Sequence, residues 1–240
     1  MSAPPVVGGI IAAGDGSRLR QAGFTMPKPM VPIAGVPLIE SVIRNFRAAS
    51  IASLVIIVNE QEQAVVEWSR SRFADLDLEF IVKTTPSSLV SFREVTARRP
   101  GGRMLVSTVD AWCREADFVR FVEAASRRPA QATVLAVTPF VADENPLHVR
   151  VDAGGRVLHL GEAAGDLVTA GMYLVSERVD PGGAGRARAA PRVPRVALPG
   201  GGAALRRGGR DRRGCGPGRR RRDCRSARLG GASIIRTSFL

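Results

Sequence analysis

Two glycines and an arginine follow the first apolar run of the chain, in Ile11-Ala12-Ala13-Gly14-Asp15-Gly16-Ser17-Arg18-Leu19. Glycines let backbone N–H groups close on phosphate oxygens, and concave loops of this kind bind anions. Arg18 adds a planar guanidinium fork that fits phosphate. The segment is not a P-loop, because no Gly-Lys-Ser/Thr follows. It is a poor dinucleotide fingerprint, because Leu19 stands where the third glycine belongs. A plain strand-to-helix turn is the competing reading. Behind it comes Met26-Pro27-Lys28-Pro29-Met30-Val31-Pro32. Lys28 is one of two lysines in a chain with 33 arginines. Where arginine is so favoured, a retained lysine points to a need for a compact ammonium, and an ordinary surface lysine is the plainer alternative. The prolines on both sides stiffen the loop and fix where the lysine points. Asp110 closes a later apolar run and, taken alone, offers a helix cap before Ala111–Arg114.

These residues need elements to hold them. Val6–Ala12 reads as a buried strand entering the glycine loop. Pro37 opens a helix with Leu38, Ile39, Val42, Ile43 and Phe46 on one face. Leu54–Val58 is a second buried strand, residues 61–73 a helix, and Leu78, Phe80 and Val82 a third strand. Ser87 or Ser88 caps a helix carrying Leu89, Phe92 and Val95. Met104–Thr108 is a fourth strand. Residues 115–127 are helical, with Phe118, Phe121, Val122 and Ala125 inward, and Thr133–Val137 is a fifth strand. Val149–Val151 and Val157–Leu160 then predict a hairpin around Asp152–Gly155, and Gly171–Val175 a further strand. This alternation argues for a three-layer, mostly parallel α/β sheet, with the hairpin as an antiparallel insertion near its edge. Ligands of such sheets sit beyond the carboxyl ends of the strands, where Gly14–Arg18 and Asp110 both fall.

The pattern stops near Asp180. Residues 1–179 balance 19 cations against 19 carboxylates, whereas residues 180–240 hold 16 Arg, no Lys and three Asp, the whole of the +13 excess. Residues 180–231 carry few aliphatics and are dominated by Arg, Gly, Ala and Pro, too little to offset chain entropy. The expected organisation is a body over 1–179 that is C-terminally incomplete, then a tail over 180–240. The tail reads as out-of-frame translation of a GC-rich gene, or else as a disordered basic extension. If the tail is genuine, a third role for it is nucleic-acid binding through phosphates, although residues 180–238 lack aromatics.

Together the two loops resemble the signature of the sugar-1-phosphate nucleotidyltransferase family. That signature runs L-A-A-G-x-G-S/T-R-L and then P-K-P-L-x-P-x-x-G-x-P-L-I; this chain has IIAAGDGSRL and then PKPMVPIAGVPLI. The resemblance covers about residues 5–179 and implies a Rossmann-like nucleotidyltransferase domain. It places Ala12, Ala13 and Gly14 along base and ribose, and Asp15, Gly16, Ser17 and Arg18 around the triphosphate. It places Lys28 on the α-phosphate and Asp110 on Mg²⁺. Residues 83–89, with Thr85 and Ser88, take the place of a base-reading loop. Glu162, Gly171 and Tyr173 fall on the acceptor side.

Two positions depart from the family. Its Glu-Lys pair reads Glu162-Ala163 here, and its second Mg²⁺-binding aspartate would fall in the tail, where only Asp180, Asp211 and Asp223 are available. The implied reaction joins a nucleoside triphosphate to a phosphorylated small acceptor such as a sugar 1-phosphate, with release of pyrophosphate. Such chemistry needs charge neutralisation and positioning more than acid–base work. The acceptor phosphate is already ionised, so the lack of an obvious catalytic histidine is no objection; His148 and His159 read as structural or solvated. A phosphocholine or pterin acceptor, or a non-catalytic nucleotide-binding or regulatory module, are the alternatives.

Cys113, Cys215 and Cys224 have no metal-ligand spacing and favour a reducing cytosol, and Cys113 reads as packed. No apolar run approaches the roughly 20 residues that span a bilayer, and residues 1–11 lack a basic leader.

Overall fold

A computed structural model describes residues 6–14, 16–21, 23–98, 101–140, 146–161, 165–176, 226–227 and 232–236. The first strand, β1 (Val7–Ala12), is buried along its whole length. A short helix, α1 (Ser17–Gln21), follows the glycine loop; it has no apolar period and was not legible in the sequence. Lys28–Met30 forms a 3₁₀ turn. The proline-rich stretch then makes a small antiparallel ribbon of β2 (Pro32–Ile33) and β3 (Val36–Pro37) around Ala34-Gly35. Helix α2 (Leu38–Ala48) starts just after Pro37 and buries the predicted apolar face.

The remaining elements follow the expected alternation. They are β4 (Ser53–Val58), α3 (Gln63–Arg72), β5 (Asp77–Val82), α4 (Ser88–Ala97), β6 (Met104–Thr108), α5 (Glu115–Ser126) and β7 (Thr133–Thr138). Ser87 is the cap of α4, its hydroxyl accepting from the Val90 N–H at 3.4 Å. The hairpin is β8 (His148–Val151) with β9 (Val157–Gly161), and β10 spans Leu167–Val175.

Strands β1, β4, β5 and β6 are parallel, in the order β6-β1-β4-β5. Strand β10 lies antiparallel between β6 and β7. The hairpin joins the sheet through β8 on β10, an interior strand, and not at the sheet edge as expected. The correction has a simple cause: the alternation that marks a hairpin shows that two strands pair with each other, but not which strand of the sheet they join.

Alternate side chains of β1 enter two cores. Ile10 and Ala12 join Phe46 of α2, Val65 and Val66 of α3, and Phe118 and Phe121 of α5. Val7, Ile11 and Ala13 join Val95 of α4 on the opposite face. The three layers are therefore α2, α3 and α5, the sheet, and α4. An edge-on contact of Phe46 with Phe118, centroids 5.1 Å apart, ties α2 to α5.

Within residues 180–240 the structure describes two short strands. Strand β11 (Ser226–Ala227) pairs with β12 (Ala232–Arg236), and β12 runs parallel beside β7. Ser233-Ile234-Ile235 is the one β-branched run of the tail, and it suits a strand. The other tail positions, with the out-of-frame and nucleic-acid readings that rest on them, lie outside the described residues.

Candidate functional site

The site sits where β1 and β6 end side by side. The Val109 N–H donates to the Ile11 carbonyl at 3.0 Å, which continues the pairing one residue past β6. Ala12 and Ala13 are buried there, and Gly14 is exposed. Gly16 has φ 60°, and a Cβ built on it would lie 3.4 Å from Lys28 Cβ. The glycine loop and the lysine stem are therefore neighbours, with room between them for no more than a methyl group. The 3₁₀ turn fixes the base of that stem: the Met30 N–H donates to the Pro27 carbonyl at 2.9 Å.

From this base Lys28 Nζ reaches Asp110 Oδ2 at 2.5 Å. Two residues 82 apart in sequence are thus joined at one point. Burial works to raise the Asp110 carboxyl, but the Lys28 ammonium and hydrogen bonds from Lys28 and Thr108 outweigh it and hold the group below the usual carboxylate range. It is an anion at neutral pH. Thr108 was missed in the sequence. It stands two residues before Asp110 at the same strand end, a relation that strand periodicity could have revealed.

Strand β10 closes the other side. Its register shifts between Thr169 and Tyr173, and Gly171 sits in that irregularity with φ 74°. A Cβ there would fall 2.5 Å from Thr108 Oγ1 and 3.0 Å from Ala111 Cβ. Only glycine lets β10 approach the strand end that carries Asp110. The Tyr173 ring meets Phe92 edge-on at 6.3 Å. Burial, and then the charge of Asp110, push the Tyr173 phenol upward against a hydrogen bond with Thr169. The Asp110 charge is thus felt on β10.

The structure brings together Gly16, Lys28, Asp110, Gly171 and Tyr173. Thr85 and Ser88 stand at the start of α4: Thr85 Oγ1 lies 2.6 Å from Ser91 Oγ, and Ser88 is the first, exposed residue of that helix. Ser17 opens α1 and is exposed, and Arg18 belongs to the same helix. Asp15, Glu162 and Ala163 lie outside the described residues. Lys83, the other lysine, is held by Glu94 at 2.6 Å. Cys113 is buried, and its thiol is pushed up to about 12 by burial and then by Asp117, which makes it no nucleophile at neutral pH.

Among the described residues no group of three or more His, Cys, Asp or Glu side chains is placed to hold a metal. Asp110 by itself fits a narrower demand. Mg²⁺ commonly takes one or two carboxylates and completes its shell with substrate phosphates and water. Asp110 is a hard oxygen donor, ionised and half-exposed, beside a phosphate-type loop.

A second carboxylate stands behind the loop. Glu62, just ahead of α3, is 8% exposed, and its Oε2 has no hydrogen-bond partner among the described residues. Burial pushes its carboxyl up to about 7, against a backbone hydrogen bond at Asn59 and the charge of Arg20 in α1. In the unfolded chain this group ionises near 4.5. Its contribution to stability is therefore full below pH 4.5 and is lost as pH rises to about 7. The total is of order 3 kcal/mol. Urea midpoints should fall between pH 5 and pH 8 in the wild type, and much less in Glu62→Gln. Parallel profiles would remove the assignment.

Residues 8–175 match the MobA-like NTP transferase domain. The chain belongs to this family. Relatives of the NTP transferase domain include the CMP-5'-(3-aminopropyl)phosphonate synthase of Streptomyces rubellomurinus, 29% identical over 190 residues, covering 73% of this chain and 29% of that protein. The mannose-1-phosphate guanyltransferase of Yarrowia lipolytica is 22% identical over 180 residues, covering 71% of this chain and 49% of that protein. The chain thus spans less than half the length of these curated relatives. Among solved structures, a Bacillus anthracis chain assigned as a glucose-1-phosphate thymidylyltransferase superposes with a TM-score of 0.63 at 16% identity, covering 72% of each chain. That likeness shows a shared fold, the Rossmann-like nucleotidyltransferase architecture. Among the described residues of the NTP transferase domain, no helix is long and apolar enough to cross a membrane.

Proposed function

We propose that the chain transfers a nucleoside monophosphate from a nucleoside triphosphate to a phosphorylated small acceptor and releases pyrophosphate. The observation that carries this reading is the Lys28–Asp110 pair at 2.5 Å, set against Gly16 of the glycine loop. It puts a compact cation and an ionised carboxylate together at one strand end, next to the glycine loop. The first acceptors to test are sugar 1-phosphates. A phosphonate belongs in the same panel, because the Streptomyces relative is named for one.

In this reading an oxygen of the acceptor's phosphate attacks the α-phosphorus in line, and the bond to the β-phosphate oxygen breaks. Lys28 donates to the α-phosphate oxygens and stabilises the charge that they carry in the transition state. The loop from Gly14 to Arg18 cradles the departing pyrophosphate through backbone N–H groups and the guanidinium. The acceptor oxygen is already anionic, so no protein base is required. Gly171 and Tyr173 line the acceptor side. Asp110 would hold a Mg²⁺, which when bound supplies charge neutralisation at the phosphates. Nucleoside triphosphates make the cytoplasm the proposed place of action.

The test is pyrophosphate release by the full chain across the four triphosphates and a panel of phosphorylated acceptors. Release that requires triphosphate, acceptor and divalent cation together is the expected result. Triphosphate binding without release from any pair would replace this reading with that of a binding module.

A further inference from the structure

The donors around Asp110 point to a device for ordering the binding of its ligands. We propose that Lys28 and a divalent cation are rival occupants of Asp110, so that the cation enters only as a triphosphate draws the ammonium onto its own oxygens. The proposal rests on the nucleotidyl-transfer reading above and goes beyond it.

The carboxylate is already provided for. Lys28 Nζ holds Oδ2 at 2.5 Å. The Thr108 hydroxyl and a backbone N–H address the same carboxylate. A divalent cation would need these lone pairs and would face the ammonium at short range. The pair is also placed to exchange. Asp110 is half-exposed, so its partner can leave without opening either core. The backbone of Lys28 is pinned between Pro27 and Pro29 in a 3₁₀ turn, so only its side chain needs to swing. Its stem passes close to Gly16, where an added Cβ would lie 3.4 Å from Lys28 Cβ, at the loop that would receive the triphosphate. A triphosphate offers the ammonium several negative charges in place of one. Departure of Lys28 then leaves Asp110 an uncompensated anion, and that anion is the seat for the cation. Triphosphate and cation therefore favour each other's binding, and the coupling is reciprocal.

The test is a Mn²⁺ titration of the nucleotide-free full chain, followed by the electron paramagnetic resonance signal of free Mn²⁺. Lys28→Met should bind Mn²⁺ at least tenfold more tightly than wild type. Lys28→Gln serves as a second neutral variant if Lys28→Met fails to fold. Lys28→Arg, which keeps a cation beside Asp110, should stay near wild type. Asp110→Asn in the Lys28→Met background should abolish the gain. Neutral variants that bind Mn²⁺ no more tightly than wild type would overturn the proposal. So would a gain that survives Asp110→Asn. No triphosphate is present in this titration, so it reads the rivalry alone. Failure of pyrophosphate release by the wild type is a separate result and bears on the proposed function.

Discussion

Lys28→Ala is expected to lower kcat/KM for pyrophosphate release by about 10³-fold, since removal of a single well-placed donor to a developing oxyanion costs 10² to 10³. The loss should sit mainly in kcat, because the ammonium acts on charge carried in the transition state. Lys28→Arg should recover little of it. The turn fixed by Pro27 and Pro29 delivers a compact point charge, and a planar guanidinium on the same backbone keeps the charge near Asp110 but spreads it over a fork that does not match a single α-phosphate oxygen. Circular dichroism should show an unchanged fold, since the pair is solvent-accessible and such pairs contribute little to stability. Activity within tenfold of wild type would remove Lys28 from the chemistry. Asp110 would then be left as a strand-end carboxylate whose role is its ion pair with Lys28, five residues ahead of α5.

Gly171→Val should damage both stability and turnover. The residue has φ 74°, where a β-branched side chain is strongly disfavoured. Its new Cβ would meet Thr108 Oγ1 at 2.5 Å and Ala111 Cβ at 3.0 Å. Neither neighbour yields cheaply: Thr108 ends a sheet strand, and the Ala111 N–H donates to the Thr108 carbonyl at 3.1 Å. Backbone strain and overpacking together amount to about 3 kcal/mol, a melting point lower by 5 °C or more. Turnover should fall further than the folded fraction does, because Thr108 is one of the donors to Asp110. Gly171→Ala should show the same pattern at smaller amplitude. A Val variant with wild-type melting and turnover would mean that β10 can retreat from the strand end without consequence.

Much of this arrangement was legible in the residues. Apolar runs located the strands of the parallel half, and the proline-flanked lysine and the glycine loop marked the site before any coordinates. What stayed hidden has specific causes. Helix α1 is short and polar, and its place is set by the loop before it. The direction of β10 is invisible in Gly171–Val175, since a buried strand has the same composition either way. Thr108 lies two residues before Asp110 on the same strand end, but its closeness to Gly171, where a Cβ would fall 2.5 Å from its hydroxyl, is a tertiary relation that no local pattern carries. The roles of Thr85 and Ser88 came from the resemblance alone; Thr85 Oγ1 lies 2.6 Å from Ser91 Oγ of α4, and Ser88 is the exposed first residue of that helix.

The position of β10 also dictates an order of events during synthesis. Strands β6 and β7 leave the ribosome first, yet they do not pair with each other. The strand that belongs between them, Leu167–Val175, emerges last of the three. Until it arrives, β6 and β7 each present an open, apolar hydrogen-bonding edge. A nascent chain stalled before residue 167 is therefore a substrate for chaperones and a seed for aggregation, whatever parallel pairing β1, β4 and β5 have completed. Closure of the sheet waits on contacts that are distant in sequence, such as Met172 with Ser107. That wait should make β10 insertion the slow step of folding.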